Sequence, residues 1–168
     1  LAGRIMHYGR YGSAADDTRL SPLYLGYPSI VRGYDFGSFS TQECAGATAT
    51  SSCPVFDRLL GSKMLVGNLE LRFPPLGVLG LGPGLFGILP IDMVAFYDIG
   101  VAWSENDKAW FLGGDRKPVS SLGTGLRLNL LGFAIAEIDY VYPFARNGHT
   151  NPAQNKGAYW QFAFTQAF

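Results

Sequence analysis

The sequence predicts an all-β protein that crosses a membrane with strands, and three observations carry that expectation. Apolar and polar side chains alternate with period two along stretches of about 10 residues, the length a tilted strand needs to cross the hydrocarbon layer. Charged residues make up only 15% of the chain, where an ordinary soluble domain has about a quarter. Aromatic residues reach 14%, yet nowhere do about 20 apolar residues run uninterrupted, as a spanning helix requires.

Residues 1–11 read as a strand, although Arg4 and His7 leave neither parity clean. A long loop, 12–62, follows. Along 63–73, Leu65, Gly67, Leu69, Leu71 and Phe73 oppose Met64, Val66, Asn68, Glu70 and Arg72. The segment 74–90 stands where a short turn is expected; it is apolar and rich in Gly and Pro, and reads as an irregular loop at the membrane edge. A spanning helix over 76–101 is excluded by Gly77, Gly80, Gly82, Pro83, Gly84, Gly87 and Pro90, and by the charges of Asp92 and Asp98.

The alternation is clearest along 91–103, where Ile91, Met93, Ala95, Tyr97, Ile99, Val101 and Trp103 form a wholly apolar face. It continues through 121–130, with Leu122, Thr124, Leu126, Leu128 and Leu130 on one side, and through 133–142, with Ala134, Ala136, Ile138, Tyr140 and Tyr142. The last stretch, 159–168, sets Trp160, Phe162, Phe164 and Phe168 on one face, with Gln166 as a polar intruder. Connections alternate between longer ones, 104–120 and 145–157, and the minimal Leu131-Gly132. Long outside loops and short periplasmic turns are the habit of membrane barrels.

A soluble sandwich or lipocalin-like barrel would show the same alternation with its apolar face turned to a dry core. Strand length argues against it, since soluble strands average about 5 to 6 residues. The polar faces also carry Gly, Asn, Ser and single charges, not the dense Lys and Glu of a solvated surface. Leu69, Leu71, Met93, Tyr97, Ile99, Leu126, Leu128, Ile138, Tyr140, Phe162 and Phe164 are therefore expected to face lipid. Trp103, Tyr142, Trp160 and Phe168 are expected near the interfaces, where aromatic rings prefer to sit.

Catalytic chemistry has no support. His7 and His149 lack partners at metal-ligand spacing, and no serine sits in a G-x-S-x-G elbow, so no enzyme, metal or cofactor is expected. Zero net charge and scattered Lys and Arg set nucleic acid aside as a partner. Cys44 and Cys53, nine positions apart in the long loop, suit a disulfide in an oxidising compartment, worth about 2 to 3 kcal/mol; the alternative is two unpaired thiols.

The long loop also contains Val31-Arg32-Gly33-Tyr34. This V-R-G-Y element resembles the hallmark of the sixth extracellular loop in the BamA/TamA superfamily of outer-membrane assembly and translocation proteins, of the bacterial surface antigen type. Asn68 to Pro74 resembles the strand after that loop, and Phe96-Tyr97-Asp98-Ile99-Gly100 the aromatic-x-Asp-x-Gly element of the next. Gly123-Thr124-Gly125-Leu126-Arg127 and Ile138-Asp139-Tyr140-Val141-Tyr142-Pro143 are similar to the penultimate strands. The resemblance spans nearly the whole chain. Gln166, where an aromatic commonly stands, and the long apolar turn depart from it.

The resemblance implies a transmembrane antiparallel β-barrel in a bacterial outer membrane, with this chain as one domain, 1–168, supplying its C-terminal six strands. The loop 12–62 would fold into the lumen, held by a cluster of Arg32, Gly33, Tyr34, Glu70, Asp98 and Gly100. Arg32 would pair with Asp98, with Glu70 close by; strand parity independently puts both carboxylates on polar faces. Trp160, Phe162, Phe164 and Phe168 would form the C-terminal assembly signal. The function implied is insertion of outer-membrane proteins or translocation of polypeptides, without nucleotide. Partners would be outer-membrane lipid, client polypeptides, and the remaining barrel strands and periplasmic domains of the same protein. Alternatives are a barrel that anchors an N-terminal enzyme or propeller, or a passive pore. Because the smallest such barrels need about 8 strands, six should form an open wall or be completed by further strands.

Overall fold

The five alternating stretches and the less regular 1–11 all form strands in the computed structural model, which describes residues 1–41, 43–44, 53–73, 91–130, 134–146 and 157–166. In chain order the strands are β1 (Ala2–Gly9), β2 (Leu23–Tyr24), β3 (Leu60–Gly61), β4 (Lys63–Phe73), β5 (Ile91–Trp103), β6 (Val119–Leu130), β7 (Ala134–Pro143) and β8 (Tyr159–Gln166). The segments 74–90 and 131–133, together with Phe168, lie outside the described residues. No helix among the described residues is long and apolar enough to cross a membrane.

Six strands form one antiparallel sheet in the order β1-β4-β5-β6-β7-β8, with β1 and β8 as its edges. The sheet is open. Unbroken pairing carries side-chain parity across it: Gly3, Leu69, Tyr97, Leu122 and Tyr142 form one row, and Ala2, Glu70, Phe96, Gly123 and Val141 the next. A single phase error would invert a whole strand, so this alignment fixes two chemically different faces.

The outer face carries exposed apolar side chains. Leu69, Leu71, Tyr97, Ile99, Leu122, Leu126, Ile138, Tyr140, Tyr142, Trp160, Phe162 and Phe164 are all exposed there. Met93 and Leu128 are only partly exposed, set among their cross-strand neighbours Phe73 and Leu126, and Ile91 and Ala136. Trp103 shares the outward parity but is covered. It is only 6% exposed, because the segment after β5 folds back so that Ala109 and Phe111 pack against it, while the His7 ring stacks on its indole.

The described residues of 12–62 cover the inner face and form elements of their own. β2 and β3 pair with each other, and a short helix α1 (Pro54–Asp57) starts just after Cys53, with proline at its first position. Leu25, Val31, Tyr34 and Leu59 pack with Met64, Val66, Ala102 and Val119 from the sheet, forming the main core. Each fully buried aliphatic side chain of this kind contributes about 1.5 to 3 kcal/mol relative to exposure. The upper part of the inner face is thus apolar, whereas the sequence pattern marked that parity as polar.

Gly100 explains how the loop comes so close. A Cβ at this inward position would lie 2.3 Å from Leu25 Cδ2 and 2.9 Å from Val31 Cγ2, so any side chain would displace the loop core. A Cys44–Cys53 disulfide closes the far part of the loop.

Candidate functional site

Below the apolar core the inner face turns acidic. Strand pairing stacks Asn68 beside Asp98, Glu70 beside Phe96 and Arg127 beside Glu137, while Asp139 faces Gly125. Four inward carboxylates, Glu70, Asp98, Glu137 and Asp139, therefore converge from three strands. The glycines of β6 make this possible: a Cβ at Gly123 would strike the Phe96 ring, and one at Gly125 would strike the Asp139 carboxylate.

The tip of the loop delivers one cation into this region. A tight turn, in which the Ile30 and Val31 amides donate to Tyr27 O, drives Val31 into the core and points Arg32 toward the acids. Arg32 is 5% exposed, and its guanidinium engages Asp98 through two parallel bonds, Nε to Oδ2 at 2.8 Å and Nη2 to Oδ1 at 3.0 Å. Nη2 also donates to Glu70 Oε1 at 3.0 Å, and Nη1 to Glu137 Oε1 at 3.1 Å. The cation lies 3.5 Å from the Phe96 ring centroid, and Asn68 Nδ2 donates both to Asp98 Oδ1 and to Ile30 O, each at 2.8 Å. Burying a lone guanidinium would cost several kcal/mol, so it is surrounded on every side by acceptors and a π face.

The neighbours of Arg32 in the loop are fixed as firmly. Gly33 has φ of 90° and donates its amide to Gln161 Oε1 at 2.9 Å, and a Cβ there would sit 2.8 Å from Val141 Cγ1. Only glycine meets both demands. Tyr34 is fully buried, donates to Ser120 O at 2.8 Å and accepts from the Ala145 amide at 3.1 Å. Burial, the larger influence, pushes its phenol up to about 12 against the opposing pull of the Ala145 amide. The Tyr24 hydroxyl donates to the Tyr34 carbonyl.

The structure thus brings together Arg32, Gly33, Tyr34, Glu70, Asp98 and Gly100. The two cysteines lie elsewhere in the same loop. Trp160, Phe162 and Phe164 stand apart, on the outer face of β8.

Several members were not read from the sequence. Glu137 and Gln161 lie on polar parities that the alternation already exposed, but nothing in the pattern ranked them above their neighbours. The larger omission is Arg146, which follows β7 and is 1% exposed. Its Nε and Nη2 donate to Glu43 Oε1 and Oε2, both at 2.7 Å, and its remaining donors reach Ser38 Oγ at 2.8 Å, Ser38 O at 2.8 Å and Gly33 O at 3.1 Å. The guanidinium also covers the Phe39 ring at 4.1 Å. Arg146 lies outside any strand, so period-two reasoning has no purchase on it.

An all-β sheet with one exposed apolar face, and with a folded loop pinned by arginine to its acidic opposite face, defines a class of strand-built protein suited to two environments at once. A family model, the Omp85 superfamily domain, matches residues 7–168, and the chain belongs to that superfamily. No curated protein and no solved structure matches it. At the level of the family, this is an outer-membrane protein type concerned with protein assembly or translocation, generally through non-enzymatic factors.

Proposed function

We propose that the sheet is a wall of a transmembrane β-barrel in a bacterial outer membrane, and that residues 12–62 form an extracellular loop folded into its lumen. In this reading the outer face meets lipid, Arg32 anchors the loop, and the protein inserts outer-membrane proteins or passes client polypeptides across the membrane. The remaining strands and client-binding periplasmic domains would belong to the same protein.

The observation that carries the reading is the opposition of the two faces. An exposed sheet face lined by Leu, Ile, Tyr, Trp and Phe is costly in water and stable in hydrocarbon. The other face holds a desolvated Arg32 in a cage of carboxylates, a construction that lasts only when the loop closes over it.

The test is Arg32→Ala and Asp98→Ala in the full-length protein in its membrane. Both should make the loop cleavable by external protease and reduce the yield of folded client barrels or of secreted client. Arg32→Lys should restore little, because an ammonium lacks the planar fork that engages Asp98 on two bonds. Unchanged client handling with a freely cleavable loop would instead leave the chain as an anchor or a pore.

A further inference from the structure

The outer face is not apolar to its end. Beside the last residues of β5, a cleft of about 540 Å³ opens between β1, β4 and the segment that follows β5. Its walls include His7, Tyr11, Lys63, Trp103, Lys108 and Phe111, all from this chain. Lys63 shares the outward parity of Leu65 and Leu69 and sits directly across from Trp103. Its stem is buried and the residue is only 8% exposed, while the ammonium donates to the exposed Glu105 at 3.0 Å and lies 5.5 Å from the Tyr11 ring centroid. Lys63 and Lys108 thus line the same cleft as Glu105, whose amide donates to the Asp16 carboxylate beside it.

The segment behind the cleft is built, not slack. Ala109 is completely buried, the Trp110 amide donates to Arg116 O at 3.0 Å, the Arg116 amide returns to Lys108 O at 3.2 Å, and the Arg116 guanidinium holds Asp107 and Asp57 O. This frame presents a single turn, Trp110–Leu112, whose three apolar side chains are 58%, 43% and 53% exposed. A hydrogen-bonded frame that holds Trp, Phe and Leu in the open, next to lysines and at the end of an apolar sheet face, matches the layer where acyl chains give way to headgroups.

We propose that this cleft binds the anionic headgroup of a membrane lipid at the loop-side surface, its phosphate held by Lys63 and Lys108 and its acyl chains descending the outer face past Leu65. The site rests on the reading of the outer face as lipid-facing. Trp103, clamped between His7 and Phe111, forms the floor on which the headgroup lies. The Trp110–Leu112 turn inserts beside the bound lipid and fixes the depth of this end of the sheet. Glu105, the existing partner of Lys63, is displaced toward solvent as the phosphate enters.

The experiment is native mass spectrometry of the full-length protein titrated with phosphatidylglycerol against phosphatidylcholine, alongside quenching of tryptophan fluorescence by brominated acyl chains in vesicles. The unaltered protein should retain the anionic lipid preferentially, and Lys63→Met and Lys108→Gln should each lower that preference roughly fivefold. Lys117→Gln, which does not line the cleft, should leave it intact. Equal retention of both lipids, or a preference that survives the Lys63→Met/Lys108→Gln pair, overturns the site. Displacement by an excess of free inorganic phosphate, with no lipid required, overturns the lipid as its occupant. Quenching of Trp160 on β8 reports separately on the membrane reading. If Trp160 is quenched and Trp110 is not, the headgroup site fails while the membrane reading stands; if neither is quenched, the membrane reading itself fails.

Discussion

Two arginines hold the loop to the sheet, and they do it in opposite directions. Arg32 is carried by the loop and enters a set of carboxylates mounted on three strands, Glu70, Asp98 and Glu137. Arg146 is carried by the end of the sheet and grips the loop, through one carboxylate, Glu43, and the carbonyls of Gly33 and Ser38. The first clamp has redundant acids on a rigid frame. The second has a single acid on a segment braced by the neighbouring Cys44 disulfide. Redundancy on the acid side means that Glu70 and Glu137, with one bond each, are individually less critical than Asp98, which takes two, whereas Arg32 itself is not replaceable.

The largest effect should follow removal of Arg32, which would strip buried Asp98 of its guanidinium and leave Glu70 and Glu137 with only Arg72 and Arg127. Arg32→Ala is expected to destabilise the seated loop by about 3 to 5 kcal/mol, read as protease cleavage within residues 12–62. Arg146→Met should come next, at about 3 kcal/mol, since it deprives one buried carboxylate of its partner rather than three. The comparison is sharpened by Glu43→Gln against Glu137→Gln. The first should accelerate cleavage more than the second, and the reverse order would break the contrast between a single and a redundant acid.

Losing the disulfide through a Cys44→Ser/Cys53→Ser pair should cost about 2 to 3 kcal/mol and should depress the Arg146 clamp while leaving the Arg32 clamp in place. Gly33→Ala should cost about 1 to 2 kcal/mol for the left-handed backbone alone, with the approach to Val141 adding to it. Both can be followed by the temperature at which the loop becomes cleavable.

The smallest effect is that of mild acid. Burial on its own would raise the Glu43 carboxyl, but the Arg146 guanidinium and the Ser40 amide and hydroxyl outweigh it and hold it below its ordinary value. Stability from this pair is therefore complete at neutral pH and is lost as the pH falls through the unfolded carboxylate value, about 4.3, toward the lower folded one. Asp35 acts in the other direction. Burial raises its carboxyl despite the Tyr159 hydroxyl, Arg146 and Gln161, so protonation favours the seated loop and offsets part of the loss. Loop cleavage measured from neutral pH downward should rise only once Glu43 titrates, and Glu43→Gln should flatten the profile.

Alternation by itself determined five of the long strands, to within about two residues at each end, and sorted their residues onto two faces; β1 reads as a strand without a clean parity. Alternation could do so because a strand's side-chain period is a local property of the backbone, repeated about five times in each strand. The V-R-G-Y tip and the inward parity of Glu70 and Asp98 were also legible, the tip through resemblance and the carboxylates through period. Tertiary structure alone decided the rest. Arg146 met Glu43 across 103 positions of sequence, Trp103 was covered by a segment that folds back on its own strand, and the upper inner face became an apolar seat for Leu25 and Val31. None of these is periodic: each depends on where a loop returns after leaving the sheet, and that is set by long-range packing, by the space that Gly100, Gly123 and Gly125 leave open, and by the need to give every buried charge a partner.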